Sequence, residues 1–144
     1  MQKFFTALLL AFSLPALGAE TASLKVELSG LAEVEGKIYI AVYDSSDTWL
    51  GDEVVASQQV DIVSSRIDQL VHAELTLPPG DYAFSIFYDV NGNGELDANF
   101  IGIPKEPVAL SNNARPKFGP PKFKDAVFTL GAEGVTQQLS IEAI

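Results

Sequence analysis

Cysteine is absent from the 144 residues, and only one histidine, one tryptophan and one methionine are present. The lack of cysteine excludes disulfide bridges, thiolate zinc sites and cysteine nucleophiles. Because His72 is the single imidazole, a zinc site built from several histidines is excluded as well. The fold must therefore be held together by packing, by hydrogen bonds or by a metal with oxygen ligands.

Basic residues are also scarce, with 9 Lys and Arg against 19 Asp and Glu. Without the predicted leader, which contains only Lys3 among the charged residues, the net charge is 8 minus 19, or −11. Such a surface repels nucleic-acid phosphates and anionic membranes, whereas it suits divalent cations or basic partners. We expect no nucleic-acid partner, and an unknown protein or carbohydrate partner in the cell envelope.

The only long apolar run lies at the N-terminus, where Lys3 precedes residues 4–17 and small residues follow. This is the layout of a secretory signal peptide, with cleavage after Gly18 or Ala19. The run is shorter than the ~20 residues of a membrane-spanning helix. The sequence predicts a signal peptide over 1–19, a single domain over 20–144, a periplasmic or secreted location and no membrane span.

Sustained helical periodicity is missing from the remainder, where short runs alternate apolar and polar residues instead. Examples are "LKVELSG", "GKIYIAVYD", "EVVASQQVDI", "LVHAELTL", "DYAFSIFYD", "DAVFTL" and "VTQQLSIEAI". Turn residues separate these runs, which is typical of about seven short strands in an all-β fold. Tyr82, two residues after Gly80, resembles the tyrosine corner of Greek-key proteins; the alternative is an ordinary core tyrosine after a turn. We predict an antiparallel Greek-key β-sandwich, Ig-like or transthyretin-like, with one long Pro-rich loop.

That Pro-rich loop is residues 99–124, which contain five prolines and five of the eight basic residues outside the leader. Loops of this length are unusual in compact domains and are often functional. One interpretation is that the segment docks on the acidic remainder of its own domain. The other is a flap that binds an anion or a partner.

Oxygen-bearing side chains alternate in "FYDVNGNGELDANF" as in the first nine positions of an EF-hand loop. The twelfth position is Phe100 instead of Glu, and a strand precedes the loop, so it is not an EF-hand. A weak calcium site, with a Kd of roughly 10⁻⁴ to 10⁻³ M, is one interpretation. A turn stabilised by its own backbone is the alternative, because Asn and Gly both favour turns. The candidate metal ligands are Asp89, Asn91, Asn93, Glu95, Asp97 and Glu106.

Residues for catalysis are not singled out by any motif, since no G-x-S-x-G elbow occurs and His72 lies on the polar face of a predicted strand. Trp49 either caps one end of the core or stacks on a sugar or partner. The prediction is an exported, non-catalytic binding or accessory module, with a calcium-stabilised loop as an additional feature. The alternative is a hydrolase that acts on a carbohydrate or ester through a carboxylate pair.

Three blocks of the chain carry a resemblance: "GKIYIAVYD", "LPPGDYAFSIFYDVNGNGELDANFIGIPKEPVALSNNA" and "GPPKFKDAVFTL". On these blocks the chain resembles the bacterial family labelled domain of unknown function 2141, which consists of small exported proteins without an established role. The resemblance implies that one motif contains Asp89, Asn91, Asn93, Asp97, Asn99, Gly102, Pro104, Glu106, Ser111 and Asn112. It suggests that Glu106 or the Ser111–Asn112 pair completes the polar shell of the turn at 89–97.

Overall fold

The structure, a computed structural model, describes residues 20–31, 36–89, 107–116 and 119–141. Nine strands, two α-helical turns and one 3₁₀ turn, Ser111–Asn113, lie in these ranges. The strands are β1 (Ala22–Ser29), β2 (Lys37–Tyr43), β3 (Ala56–Asp61), β4 (Arg66–Ile67), β5 (Leu70–Leu77), β6 (Gly80–Asp89), β7 (Val108–Leu110), β8 (Phe128–Leu130) and β9 (Val135–Ser140). The α-helical turns are α1 (Ile62–Ser65) and α2 (Phe123–Ala126).

Two sheets face each other across one apolar core. Sheet A has the strand order β4-β5-β1-β9, and sheet B has the order β3-β2-β6-β7, with β8 paired to the first residues of β6. Side chains alternate between the core and the outer face along each strand. The core cluster draws on both sheets, and its fully buried members include Leu24 and Leu28 of sheet A and Ile40, Phe84 and Ile86 of sheet B.

One strand pair departs from the antiparallel arrangement that the sequence predicts. The pairing of β1 with β9 is parallel, with Leu24 opposite Val135 and Leu28 opposite Leu139. The chain leaves β8 in sheet B and enters sheet A beside β1 through a turn that ends at Gly134, which has a φ of 87°. A Cβ atom there would lie 2.9 Å from the Ser23 carbonyl oxygen, so only glycine fits this close approach. The prediction of a wholly antiparallel sandwich is therefore wrong for this pair.

The strand count is nine instead of about seven because two very short strands are added to the predicted ones. The β4 strand has two residues and β7 has three, too few for an alternating pattern to be visible. Because β7 lies at residues 108–110, the prediction of one continuous Pro-rich loop over 99–124 is wrong for this part. The predicted strand "DAVFTL" is likewise shorter, since residues 123–126 form α2 and only Phe128–Leu130 is a strand.

At the turn between β5 and β6, the contacts of Tyr82 favour the tyrosine-corner interpretation over that of an ordinary core tyrosine. The Tyr82 hydroxyl donates a 2.7 Å hydrogen bond to the carbonyl oxygen of Pro78, four residues upstream. Burial raises the pKa of the Tyr82 hydroxyl, and the negative charge of Asp44 raises it further. The bond fixes the angle at which the chain turns into β6, which lies between β2 and β7 in sheet B.

Candidate binding surface

Of the predicted calcium ligands, the described residues include only Asp89. It is the last residue of β6, lies opposite Lys37 of β2 and is 4% exposed. The other candidates, Asn91, Asn93, Glu95, Asp97 and Glu106, lie outside the described residues. Within the described ranges, no group of three or more histidine, aspartate or glutamate side chains could hold a metal ion.

The Ser111 side chain, which follows β7, bonds to two other elements, β6 and α2. It is fully buried; its hydroxyl accepts a 3.0 Å hydrogen bond from the Phe84 amide and donates a 2.6 Å bond to the Ala126 carbonyl. The Phe84 amide occupies the next position of the β6–β7 ladder, so the hydroxyl extends this ladder by one bond. The Ser111 side chain thus ties β6 to the end of α2.

Asn112 and Asn113 follow with φ values of 60° and 55°, a conformation that asparagine tolerates better than most residues. The Asn112 amide side chain donates to the Val127 carbonyl at 2.8 Å and accepts from Gln137 at 3.1 Å. The Asn113 side chain accepts a bond from the Ser140 amide on β9. The described bonds of Ser111 and Asn112 run to β6, α2, residue 127 and β9. Residues 90–97 lie outside the described residues, so the polar shell of the 89–97 turn stays a hypothesis.

Trp49 caps one end of the molecule and connects the loop between β2 and β3 to the segment before α2. Its indole N–H donates a 2.9 Å hydrogen bond to the Pro121 carbonyl. Its ring meets Tyr43 edge-on at 5.2 Å between centroids and Phe123 at 5.9 Å. Of the two interpretations of Trp49, this geometry favours the cap. It also agrees with docking of the basic segment on its own domain, because Lys122 and Lys124 flank Phe123.

The loop between β2 and β3, residues 44–55, is held in a defined conformation and is here named the acidic loop. Two successive turns are closed by backbone hydrogen bonds. The Thr48 amide donates to the Ser45 carbonyl at 3.3 Å, and the Gly51 amide donates to the Thr48 carbonyl at 2.9 Å. The Tyr43 hydroxyl donates to the Gly51 carbonyl at 3.3 Å. Burial raises the pKa of this hydroxyl, a hydrogen bond with Ser85 opposes the rise, and the charge of Asp52 adds to it.

The outer side of the acidic loop combines apolar side chains with negative charge. Leu50, Val54 and Val55 are 40%, 40% and 47% exposed. All four carboxylates of the loop are exposed, and no lysine or arginine occurs between residues 44 and 61. The carboxylates are Asp44, Asp47, Asp52 and Glu53. The sequence places Val54 and Val55 in the predicted strand "EVVASQQVDI", but β3 begins at Ala56, and both valines lie exposed in the loop before it.

Leu50 has an unusual backbone conformation within this loop. Its φ is 64°, in the left-handed region that bulky side chains rarely adopt. This conformation costs on the order of 1–3 kcal/mol and persists only where the surroundings enforce it. The hydrogen bond from Gly51 to Thr48 and the Trp49 contacts on the inner side provide that enforcement. As a result the Leu50 side chain is presented to solvent.

The acidic loop continues directly into β3, an edge strand of sheet B. In the described part of the chain β3 pairs only with β2, and Ser57, Gln58, Gln59 and Asp61 are all exposed. On the outer face of this sheet Tyr39 and Phe87 stack with centroids 5.0 Å apart. Asp61 caps α1, and bonds from the Ser64 amide and then the Ser64 hydroxyl lower the pKa of its carboxyl group.

His72 lies on the outer face of sheet A, on β5 and opposite Glu27 of β1. Glu27 accepts a 2.9 Å bond from the Gln138 side chain of β9. Neighbouring cross-strand pairs on this face are also polar, with Lys25 opposite Glu74. The histidine is therefore one member of a polar outer face, as its position in the sequence predicts.

Comparison with known proteins places the chain in a family without giving it a function. A family model described as an uncharacterised protein conserved in bacteria (DUF2141) matches residues 26–138, and the chain belongs to this family. The match covers β1 to β9 except for a few residues at either end. No curated protein and no solved structure matches the chain. Among the described residues no helix is both long and apolar enough to cross a membrane.

Proposed function

We propose that this member of the DUF2141 family is an exported, non-catalytic binding or accessory module that contacts another macromolecule of the cell envelope through its acidic loop. The observation that carries the proposal is the exposure of Leu50, Val54 and Val55, at 40–47%, on a loop fixed by aromatic contacts. Apolar side chains surrounded by charge are typical of contact surfaces. A loop that is already ordered also loses less entropy when it binds.

For the fold we propose the Greek-key type, and we favour the transthyretin-like over the Ig-like alternative. The bond from Tyr82 to Pro78 supports a Greek-key sandwich. In the Ig constant-type arrangement the first strand lies at the edge of its sheet. Here β1 lies between β5 and β9, which argues against the Ig-like order.

Export is part of the proposal and has a direct test. The intact mass of the protein, recovered from the periplasm or the medium of the producing bacterium, should correspond to a chain that begins at Ala19 or Glu20. The support is the layout of residues 1–19, a basic residue followed by an apolar run and small residues. A full-length chain confined to the cytoplasm would contradict export.

We also propose that the loop after β6 binds calcium weakly, with Asp89 as its first ligand. The support is the ligand spacing and the position of this carboxylate, 4% exposed at the end of the strand. With a Kd of ~10⁻³ M, calcium at about 10 mM should stabilise the fold by about 1.4 kcal/mol. Melting curves with calcium, magnesium and chelator measure this, and Asp97→Asn should abolish the calcium effect. Identical curves with calcium and chelator would leave the loop as a turn.

The binding proposal is tested by site-specific photo-cross-linking in the producing bacterium. A photoreactive residue at Val54 should give a discrete adduct, whereas the same residue at Thr136, exposed on β9 in the opposite sheet, should not. The partner identified from the adduct, once purified, should bind the Val54→Asp variant about tenfold more weakly than the wild type or Thr136→Asp.

Equal adducts at both positions, no adduct at either, or unchanged affinity of Val54→Asp would refute a contact surface at the acidic loop. The alternative of a carbohydrate or ester hydrolase stays a prediction. Turnover of chromogenic esters or glycosides by the purified protein would favour that alternative instead.

A further inference from the structure

The β3 strand presents a free set of main-chain hydrogen-bonding groups. The Ile62 amide donates to the Gly36 carbonyl at 3.0 Å, and this pair continues the β2–β3 register in which Val60 lies opposite Ile38. In an antiparallel ladder every second residue bonds to the partner strand. Residues 56, 58, 60 and 62 therefore bond to β2. The amides and carbonyls of residues 57 and 59 and the amide of Asp61 point away from the sheet, whereas the Asp61 carbonyl, at the N-cap of α1, accepts the first bond of that helical turn.

Most of the usual protection against pairing is absent along β3; one irregularity lies at its start, where the Val55 amide donates to the Val42 carbonyl although Ala56 lies opposite Val42. Native edge strands carry lysine, proline or a bulge, or are very short. The β3 sequence ASQQVD contains neither lysine nor proline and is six residues long. The side chains along it are exposed at Ser57, Gln58 and Gln59, and no further strand of the described ranges pairs with this edge. An extended chain has room to approach this edge.

Charge indicates which extended chain fits. The continuous stretch 44–61, which is the acidic loop followed by β3, contains five carboxylates and no lysine or arginine. Three basic residues lie nearby: Lys37 opposite Asp61, and Lys122 and Lys124 beside Phe123. The carboxylates exceed these cations, so a strand that runs along β3 toward the acidic loop meets net negative charge. Basic side chains on that strand are favoured at close range.

We propose that β3 is a docking edge for an extended, basic polypeptide segment of another protein, which adds to sheet B as a further strand. The inference rests on the proposed function and specifies its mode of recognition. Main-chain bonds to residues 57, 59 and 61 supply a sequence-independent part of the affinity. Leu50 and Val54 at one end of the edge contact apolar side chains of the segment, and the carboxylates select Lys and Arg.

The test uses a synthetic peptide of alternating lysine and valine, equal in length to β3, and an isotopically labelled protein. Titration should shift the amide signals of Ser57, Gln59 and Asp61 and slow their hydrogen exchange. A peptide of alternating glutamate and valine should bind about tenfold more weakly or worse. Affinity for the lysine peptide should fall as salt is raised.

Two N-methylated peptides separate strand addition from contacts made by side chains alone. Every second amide of an added strand faces β3. Either the lysine amides or the valine amides therefore face β3, but not both. Methylation of the set that faces β3 should abolish binding, whereas methylation of the other set should change the affinity by no more than about twofold. On the protein side, Gln59→Pro removes an outward amide and should weaken binding about tenfold, since proline is tolerated at such edge positions. Thr136→Asp, on β9 in the opposite sheet, is the control and should leave binding unchanged.

The outcomes distinguish the two proposals. Equal binding of both methylated peptides, shifts confined to other strands, or no binding at millimolar peptide would overturn strand addition. Pairing of β3 with a second copy of the chain, seen as a concentration-dependent dimer without peptide, would overturn it as well. If Val54→Asp weakens binding of the cross-linked partner while Gln59→Pro, shown to be folded, does not, the proposed function stands and strand addition fails.

Discussion

Replacement of Ser111 by alanine removes the most deeply buried polar side chain that the structure describes. The hydroxyl is fully buried and serves both as acceptor for the Phe84 amide and as donor to the Ala126 carbonyl. Both partners belong to residues that are themselves 0% exposed, so water cannot replace the lost bonds. Each buried group left without a partner costs about 1–3 kcal/mol. We expect Ser111→Ala to lower the free energy of unfolding by about 2–4 kcal/mol.

Urea unfolding followed by the fluorescence of the single tryptophan measures this loss. With an m-value of about 2 kcal/mol/M, the midpoint should fall by about 1–2 M at unchanged slope. Thr129→Ala is the matched control, because its hydroxyl donates a 2.8 Å bond to the exposed Asp81 carboxylate. That variant should lose less than about 1 kcal/mol. Equal losses in the two variants would refute the assignment of Ser111 as the tie between β6 and α2.

Three further predictions follow from single contacts. Tyr82→Phe removes the 2.7 Å bond to Pro78 and should cost about 1 kcal/mol in urea unfolding, with unchanged circular dichroism. Trp49→Phe removes the bond to Pro121 and should lower stability by about 1–2 kcal/mol, and in the wild type the tryptophan emission should shift to longer wavelength on unfolding. The bonds from Ser64 lower the pKa of the Asp61 carboxyl group in the folded state. The stability that Asp61 contributes is therefore present above its unfolded-state pKa and is lost as the pH falls through its folded-state pKa. Asp61→Asn should therefore flatten the loss of stability on acidification, and an unchanged acid profile would contradict the cap.

The long alternating strands could be predicted from the sequence because their pattern reflects burial directly. In β6 the alternate residues Tyr82, Phe84, Ile86 and Tyr88 are all buried, as the pattern indicates. The tyrosine corner was also predictable, since it depends on local spacing after a Pro-Gly turn. These features are set by residues close together in the chain.

Other features depend on residues far apart in the chain, and no local pattern encodes them. The parallel pairing of β1 with β9 joins strands more than a hundred residues apart. The bonds of Asn112 to Gln137 and of Trp49 to Pro121 likewise span 25 and 72 residues. From the sequence alone, polar residues without a strand role, such as Ser111, led to the hypothesis of a polar shell around the 89–97 turn. The fold uses that serine to satisfy backbone groups where β7 ends.

The two sides of the acidic loop have different roles, and this division limits where a partner can bind. Its inner side is occupied by the chain itself, because Trp49 contacts both Tyr43 and Phe123 and bonds to the buried Pro121. Lys122 and Lys124 lie on either side of this Phe123 in the sequence. Leu50 and Val54 remain exposed on the outer side, next to the free edge of β3. A partner that used the inner side would have to displace these aromatic contacts, whereas one that used the outer side and the edge would leave them in place.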